Sequence, residues 1–397
     1  MDTTTPPDTA RQPRQRFLAP DLTRGVMLAI IALANVLIYL HDRPYGLRQH
    51  VLTGNAFDEV VSAGIGLFVD ARGYPLFAAL FGYGIVQMIR SRRDRGVAEE
   101  EIRRTVRRRS VGLILFGAVH SLLAFSGDIL GWYGLIGLVL GRVLRLPDRT
   151  LLRLAAIWLV VAAIVQGALF ADPTPSMQRS YFWSYAIADP LEATGWRLVE
   201  WVMAPFGLLA VVSAMLVGVW AGRHRILEHP ERHRVLLVRT AVVGITVGVL
   251  GGIGSMLVGA GLWSPPFAVA AALAWLHVVS GVFCGLGYAA LLALVAARLT
   301  ASGRDQHWGV RALQAAGQKS LSCYLAQSIV FATLLAASTV GWGARLGPAA
   351  AAALALLTWA GTVAAAAATA GRPGPAEALL QRFVRGRRPA VRATISG

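Results

Sequence analysis

Two ionisable side chains stand close together in otherwise apolar sequence and could carry chemistry. His120 lies in the run GAVHSLL, and Asp128 follows in the short turn SGD. If the helix breaks at Gly127, an imidazole beside a carboxylate can serve as general base or nucleophile, with the carboxylate orienting the ring. The structural alternative is a hydrogen-bonded core histidine and an aspartate that caps the next helix.

A second group of polar residues belongs to the first apolar stretch, DLTRGVMLAIIALANVLIYL. Asp21 and Arg24 are three residues apart, so they can pair on one helical face. An unpaired amide at Asn35 would be costly in this setting. The interpretations left open are a role in catalysis or donor binding, and simple anchoring of the helix with Asn35 bonded to a neighbouring helix.

A polar stripe follows in AAGQKSLSCYLAQS. Tyr324 and Gln327, with Ser320 and Ser328, recur at helical spacing. Such a stripe is typical both of a cavity wall and of a hydrogen-bonded seam between helices. We count Tyr324 and Gln327 among the candidate donor-binding residues.

Arginines form the remaining candidates. Arg107 and Arg108, in RRTVRRR, could bind the phosphates of a nucleotide-like donor such as coenzyme A, although retaining the loop in the cytoplasm would explain them equally well. Arg72 interrupts an apolar run and is also a donor-binding candidate. His229 and His233 have metal-ligand spacing but lack a further convincing ligand, so we expect no metal site.

Composition indicates what must position these residues. The chain has 397 residues, 55% of them hydrophobic and 15% charged, with net charge +17. Soluble domains carry about 25% charged residues, and only a bilayer can surround this much apolar sequence. Because the arginines cluster at the ends of apolar runs, we expect a membrane protein and no nucleic-acid partner.

The predicted fold is therefore an all-α, polytopic bundle of transmembrane helices. A crossing helix needs about 20 apolar residues, which gives about ten spans. The predicted spans are 22–40, 73–90, 110–126, 129–146, 151–170, 201–221, 235–261, 272–298, 320–340 and 349–370.

Basic loops predict the orientation. Arginine-rich segments lie at 90–109, 223–234, 298–311 and 382–388, all on one side of a ten-span chain. The positive-inside rule places that side, with both termini, in the cytoplasm. We expect the membrane to be a bacterial plasma membrane.

The second span departs from a simple helix. From Glu59 to Ile89 a continuous helix would be about 45 Å long, too long for a hydrocarbon core of about 30 Å. We predict that 59–71 forms an amphipathic or re-entrant piece on the outer side and that the crossing starts near Gly73. The alternative is a tilted helix with a proline kink.

Five regions are predicted from these patterns and from the resemblance described next. They are a disordered cytoplasmic tail (1–16), an acyltransferase-like half (17–150), connecting spans with an outer loop (151–222), a C-terminal half of unknown function (223–388) and a short tail (389–397).

The order and spacing of four stretches resemble those of the YeiB-like bacterial membrane proteins, from about Phe17 to Arg388. These stretches are D-x-x-R-G with a following Asn at 21–35, RGYPLFAALFGYG at 72–84, the hairpin GAVH…GDILGWYG at 117–134, and AAGQKSLSCYLAQS at 315–328 with GPAE at 374–377. Cys323 stands where that family usually has asparagine, and Lys319 beside it is unusual.

The resemblance implies a C-terminal domain of unknown function, DUF418. The N-terminal half is similar to transmembrane acyltransferases, including the lysosomal enzyme that acetylates heparan glucosamine. That similarity implies an acyl donor, such as acyl-coenzyme A, entering from the cytoplasm and an acceptor in the cell envelope. We therefore assign catalysis to His120, Asp128 and Asn35. The alternatives are a transporter or lipid-handling protein without covalent chemistry, and a structural membrane partner.

Overall fold

A computed structural model describes residues 17–385 of the chain. The predicted tails, 1–16 and 389–397, lie outside these residues. The described part is all-α, with two isolated β-bridges and no strand. Its helices are α1 Leu18–Val36, α2 Ala56–Phe68, α3 Gly73–Arg93, α4 Glu99–Leu123, α5 Leu130–Val143, α6 Asp148–Leu169, α7 Pro190–Leu208, α8 Ala210–Arg223, α9 Arg234–Gly259, α10 Phe267–Ala301, α11 Trp308–Gln318, α12 Ser320–Leu335, α13 Pro348–Ala368 and α14 Pro375–Arg385.

Six helical segments of the described chain are long and apolar enough to cross a membrane, or seven if the bent pair α7–α8 forms one span. Each of the ten predicted spans overlaps a helix. Three predicted spans lie outside the six segments and the bent pair: the helix α4 begins with a strongly charged turn, and α5 and α12 have only 14 and 16 residues. The prediction of a multi-pass helical membrane protein is confirmed at this coarser level.

Apolar side chains on the outside of the bundle explain the high hydrophobic content. On α6, Ile157, Val160 and Ile164 are all more than half exposed, whereas Leu151 and Ala155 on the opposite face are buried. A helix with large apolar residues on its outer face needs a non-aqueous surrounding. This distribution is what a lipid-embedded bundle requires.

The helices approach each other closely at glycines. A side chain at Gly218 of α8 would place its Cβ 2.0 Å from the carbonyl oxygen of Ala79 on α3, and one at Gly82 would lie 2.4 Å from that of Met215. Only hydrogen fits between such backbones. Small residues therefore determine how closely α3 and α8 approach each other. Close packing matters because there is no hydrophobic driving force between helices within lipid.

The second predicted span is interrupted where the sequence indicated. α2 ends at Phe68, Ala71 adopts a left-handed backbone with φ +57°, and α3 begins at Gly73. The segment Ala56–Arg93 nevertheless qualifies as one candidate span of 38 residues. Its length greatly exceeds a core of about 30 Å, so tilt or excursion beyond the core must accommodate the excess.

α1 lies at the centre of the bundle, where it contacts α3, α10, α11, α12 and α13. Its N-terminal end lies near the arginine-rich segments, and its C-terminal end leads into an irregular segment of the opposite side. There Tyr45 forms a β-bridge to Ser176, which joins this segment to the long connection between α6 and α7. α1 thereby links the two ends of the bundle, with Arg24 near one end and Asn35 near the other.

Candidate functional site

The turn between α4 and α5 brings His120 and Asp128 together. α4 ends at Leu123 and α5 begins at Leu130, so the chain reverses over six residues. Asp128 Oδ1 accepts a hydrogen bond from His120 Nδ1 at 2.8 Å, and both residues are buried. The predicted contact between the imidazole and the carboxylate is present.

Glycines around the turn make this contact sterically feasible. A Cβ at Gly117 would lie 2.4 Å from Asp128 Oδ2, and the backbone N–H of Gly131 donates to that same oxygen at 2.8 Å. Asp128 therefore caps α5 with one oxygen and holds the imidazole with the other. The Asp128 carboxylate therefore has both of the predicted roles: it caps a helix and it is the partner of the histidine.

The second nitrogen of His120 is unpaired. Nε2 is buried and has no hydrogen-bond partner among the described residues. Because a carboxylate only accepts, Nδ1 carries the proton in the neutral ring, and Nε2 presents a lone pair. The ring of Tyr324 lies 5.0 Å away between centroids, so α12 forms the facing wall. A buried basic nitrogen without a partner is the arrangement that a general base needs.

Asn35 reaches the same region through tyrosines. Its amide oxygen accepts from the Tyr74 hydroxyl at 2.5 Å, and the Tyr133 hydroxyl donates to the Tyr74 carbonyl at 3.4 Å. Tyr133 belongs to α5, five residues after Asp128. With its oxygen engaged in this way, the Asn35 amide nitrogen remains a donor.

Sequence reasoning missed Glu200 of α7. Its carboxylate accepts from the Ser126 hydroxyl at 2.6 Å and from the Ser184 amide and hydroxyl at 2.8 and 2.7 Å. It therefore supports the turn that carries Asp128. The signal was present: Arg197 and Glu200 are two charges within the apolar sequence WRLVEW, and such residues are functional candidates by default.

The polar stripe on α12 divides between two neighbours. Tyr324 faces His120, whereas the Gln327 amide nitrogen contacts the Thr362 hydroxyl of α13 at 3.4 Å and its amide oxygen is buried without a partner. Ser328 bonds back to the carbonyl of Tyr324. The stripe thus contains both a helix seam and one wall of the His120 site.

Arg72 lies in a separate buried cluster beside the α2–α3 interruption. It is fully enclosed, and its terminal nitrogens contact His277 Nε2 at 2.6 Å and the Gly248 carbonyl at 2.9 Å. Asp70 accepts two hydrogen bonds from Arg48, at 3.1 and 3.0 Å. These contacts tie the start of α3 to α9 and α10. Donor binding by Arg72 stays a prediction.

The candidates at the arginine-rich end of the bundle have different surroundings. Arg24 approaches Asp21 at 3.5 Å and interacts electrostatically with Arg109. Arg107 is exposed. Arg108 is also exposed, and its guanidinium approaches the carbonyls of Val384 and Arg385 at the end of α14, at 3.3 and 3.5 Å. Arg109 is partly buried, and its Nε has no hydrogen-bond partner among the described residues, so it retains a donor for an anion.

A cavity of about 560 Å³ opens elsewhere, at the end of the bundle opposite the arginine-rich segments. It lies between the segment after α1, the start of α2 and the start of α13, and none of the predicted site residues lines it. Within residues 17–385, no three histidine, cysteine or acidic side chains are arranged to hold a metal ion.

Comparison with known proteins relates the chain to a family. Residues 221–387 match the family model described as "Protein of unknown function (DUF418)". The chain is 25% identical to uncharacterized protein YeiB of Escherichia coli (strain K12) over 362 residues, which cover 81% of this chain and 83% of YeiB. It is 25% identical to uncharacterized protein YxaH of Bacillus subtilis (strain 168) over 209 residues, covering 46% of this chain and half of YxaH.

No solved structure matches the chain. The family model covers α9 to α14 and the last three residues of α8, so the His120–Asp128 turn lies outside it. The match to YeiB extends over most of the chain, as the predicted resemblance does. These findings confirm the resemblance to the YeiB-like membrane proteins: the chain is similar to YeiB over most of its length and carries a DUF418 region at residues 221–387.

Proposed function

We propose that this chain is an integral membrane acyltransferase that moves an acyl group from a cytoplasmic donor to an extracytoplasmic acceptor. The observation that carries the proposal is the buried His120–Asp128 pair, in which Nε2 of the imidazole has no partner. A buried nitrogen normally finds a hydrogen-bond partner, and leaving one unpaired costs about 1–3 kcal/mol. Such a cost is expected where a substrate group completes the site.

The chemical step follows from the orientation of the ring. His120 Nε2 takes the proton of an acceptor hydroxyl or amine while that oxygen or nitrogen attacks the acyl carbonyl carbon. The new bond forms, the carbon–sulfur bond of a thioester donor breaks, and the leaving thiolate takes the proton from the imidazolium. Asp128 keeps the ring oriented and stabilises its charged form.

Asn35 is proposed to stabilise the developing charge on the acyl oxygen. The Tyr74 hydroxyl donates to the Asn35 amide oxygen, so the amide nitrogen is free to donate to the substrate. A donor oriented in advance toward an oxyanion is worth several kcal/mol in a site without water. Tyr324 would form the wall beside the acyl chain on the side of α12.

Acyl-coenzyme A is the proposed donor substrate. Arg24 and Arg109 are proposed to bind its phosphates, with Arg107 and Arg108 adding to the positive potential at the cytoplasmic surface. Along α4, Arg109 and His120 are about 16 Å apart. A donor with an extended arm could therefore leave its phosphates near the cytoplasm and present its thioester to the imidazole.

The topology needed for this function is the predicted one, with ten crossings, both termini in the cytoplasm and the bacterial plasma membrane as the location. The basic loops support it through the positive-inside rule. The division into an acyltransferase-like half at 17–150, connecting spans at 151–222 and a C-terminal half at 223–388 is proposed on the same basis. In this arrangement the His120 turn lies toward the outer face.

The decisive test is acyl transfer by the purified full-length chain in lipid nanodiscs, with radiolabelled acetyl-coenzyme A as donor and total envelope extract as acceptor. His120→Ala should lower transfer by roughly 10²–10⁴-fold, the range for a lost general base. Binding of acetyl-coenzyme A should remain, because the proposed phosphate contacts lie at the other end of α4.

His307→Ala, which changes an exposed histidine at the start of α11, serves as the matched control. Transfer at the wild-type rate by His120→Ala would remove His120 from the mechanism. Asp128→Asn should lower the rate and shift its pH dependence, whereas a purely structural aspartate would lower the amount of folded protein without moving that profile.

A transporter or lipid-handling protein is the second candidate, favoured by a different observation. The α2–α3 segment is interrupted at residues 69–72, and the segments Pro190–Gly207 and Ala210–Arg223 meet at 59°. Interrupted helices often line transport paths. Uptake or lipid flipping in proteoliposomes without any acyl donor, unchanged by His120→Ala, would favour this second function.

A further inference from the structure

We propose that the open cavity at the end of the bundle opposite the arginine-rich segments binds the headgroup of a zwitterionic phospholipid. Its volume of about 560 Å³ lies within the range of about 300–1,000 Å³ usual for small-molecule sites. Three chain segments meet there, and they contribute Asp42, Arg43, Asn55, Asp58 and Arg345 to the lining.

The positive side of the cavity is available for a phosphate. The guanidinium of Arg345 has no hydrogen bond or ion pair to any described residue, and its side chain is exposed. Arg43 uses its Nε on the His41 carbonyl and one terminal nitrogen on the Gly343 carbonyl at 2.8 Å, which leaves the other terminal nitrogen unpaired. Two guanidiniums can bind phosphate oxygens with charge-assisted hydrogen bonds.

The negative side suits an ammonium group. Asp42 Oδ2 accepts from His41 Nδ1 at 2.9 Å, and its other oxygen is free among the described contacts. Asp58 is similar, because its Oδ1 accepts from the Ala349 amide at the start of α13 and its Oδ2 is free among the described contacts. A cavity with two arginines and two carboxylates, each with one oxygen available, matches a phosphate that carries a nearby amine, as in phosphatidylethanolamine.

The helices beside the cavity favour a lipid over a soluble molecule. On α2, next to Asn55 and Asp58, Phe57 and Val60 are each 70% exposed. On α13, Leu357 is 72% exposed. The same two helices therefore present charge-lined space at their ends and apolar surface along their sides, which corresponds to a headgroup with its acyl chains.

The residues that line this site are remote from the His120–Asp128 pair. Binding would be measured directly, so its outcome does not depend on whether the chain transfers acyl groups. The site could supply the acceptor of the proposed reaction or hold a lipid that stabilises the bundle, and the binding experiment is the same in both cases.

The test is native mass spectrometry of the purified full-length chain titrated with phosphatidylethanolamine, phosphatidylcholine or phosphatidylglycerol in detergent. The wild type should retain phosphatidylethanolamine best, because its primary ammonium can donate to Asp42 and its phosphate can bind both arginines. Arg345→Gln should weaken retention by about tenfold, the equivalent of one charge-assisted hydrogen bond. Arg345→Lys should restore part of it.

Asp42→Asn should abolish the preference for phosphatidylethanolamine over phosphatidylglycerol while leaving phosphate binding. Arg304→Gln changes an exposed arginine in the segment between α10 and α11 and is the matched control. Equal retention by Arg345→Gln and the wild type would overturn the proposal. Displacement of the lipid by free phosphoethanolamine at equal concentration would identify a soluble occupant and overturn the lipid assignment.

Discussion

Single residues show how this bundle retains buried polar groups, which are costly to remove from water. Asp128 bonds both His120 and the first turn of α5, and Asp70 accepts two hydrogen bonds from Arg48. An ion taken out of water must recover its solvation from hydrogen bonds and opposite charge. His120 Nε2 departs from this pattern, as the Gln327 amide oxygen also does, but only His120 combines an unpaired basic nitrogen with a carboxylate that orients the ring, which is why we place the chemistry there.

His50, which precedes α2, provides a pH-dependent prediction. Burial lowers its pKa from 6.5 to about 4, because the imidazolium loses its water. The nearby Asp70 favours the charged form, and Arg48, Arg72 and Arg179 oppose it. The unfolded chain binds the proton more readily than the folded chain does. The stability that the neutral, buried imidazole of His50 contributes is therefore complete above about pH 6.5 and is lost as the pH falls toward 4.

We therefore expect the unfolding temperature of the detergent-purified chain to fall between pH 6.5 and 4.5, with His50 contributing on the order of 1 kcal/mol per pH unit. His50→Gln should make this dependence shallower. The comparison is a thermal-unfolding series by tryptophan fluorescence on both proteins, with His307→Gln as an exposed control. Parallel curves for His50→Gln and wild type would show that His50 does not titrate as proposed.

Among the secondary-structure elements, the junction of α11 and α12 explains the start of a motif for which the sequence left both a cavity wall and a helix seam open. Gly317 packs against the Asp21 carbonyl of α1, where a Cβ would lie 1.8 Å away. Lys319 donates to the carbonyls of Ala366 and Thr369 at the end of α13, at 2.8 and 2.6 Å. AAGQKS is thus where three helices are joined, and its lysine has a defined partner.

Glu377 of α14 completes this junction from the GPAE motif. Its carboxylate accepts from the amides of Leu321 and Ser322 at 2.8 and 3.2 Å, so it caps α12 from another helix. Helix N-termini favour such an anion because their first N–H groups lack partners.

Replacing this cap should destabilise the junction. Glu377→Ala is expected to cost about 1–2 kcal/mol, with Glu377→Gln costing less because the amide oxygen can still accept. The measurement is the unfolding temperature of each purified variant beside Glu231→Ala, which removes an exposed carboxylate between α8 and α9. If Glu377→Ala unfolded at the same temperature as Glu231→Ala, the cap would contribute nothing.

For the whole molecule, the ten-span topology makes a specific demand on two short helices. Helices α5 and α12 would be about 21 and 24 Å long, shorter than a hydrocarbon core of about 30 Å. In the ten-span topology these short helices must cross with help from adjacent turns or with local thinning of the bilayer.

Single introduced cysteines can test the number of crossings. They are placed in a chain whose natural Cys284 and Cys323 are changed to alanine and serine. Cysteines at Arg95 and Glu231 should react with a membrane-impermeant maleimide only after the cells are opened, and one at Thr174 should react in intact cells. Labelling of the Arg95 and Thr174 positions from the same side would rule out an odd number of crossings between them and so contradict the ten-span arrangement.

The sequence by itself determined the class of this protein, because hydrophobic content, arginine placement and helix-length apolar runs are local properties that a bilayer selects directly. It also predicted the His120–Asp128 contact, since the two residues flank one short turn. It did not predict the Glu200 support of that turn, the junction joined by Lys319 and Glu377, or the enclosure of Arg72 by α9 and α10. These contacts join residues 47 to 205 positions apart, and only the packing of the helices determines which polar groups meet.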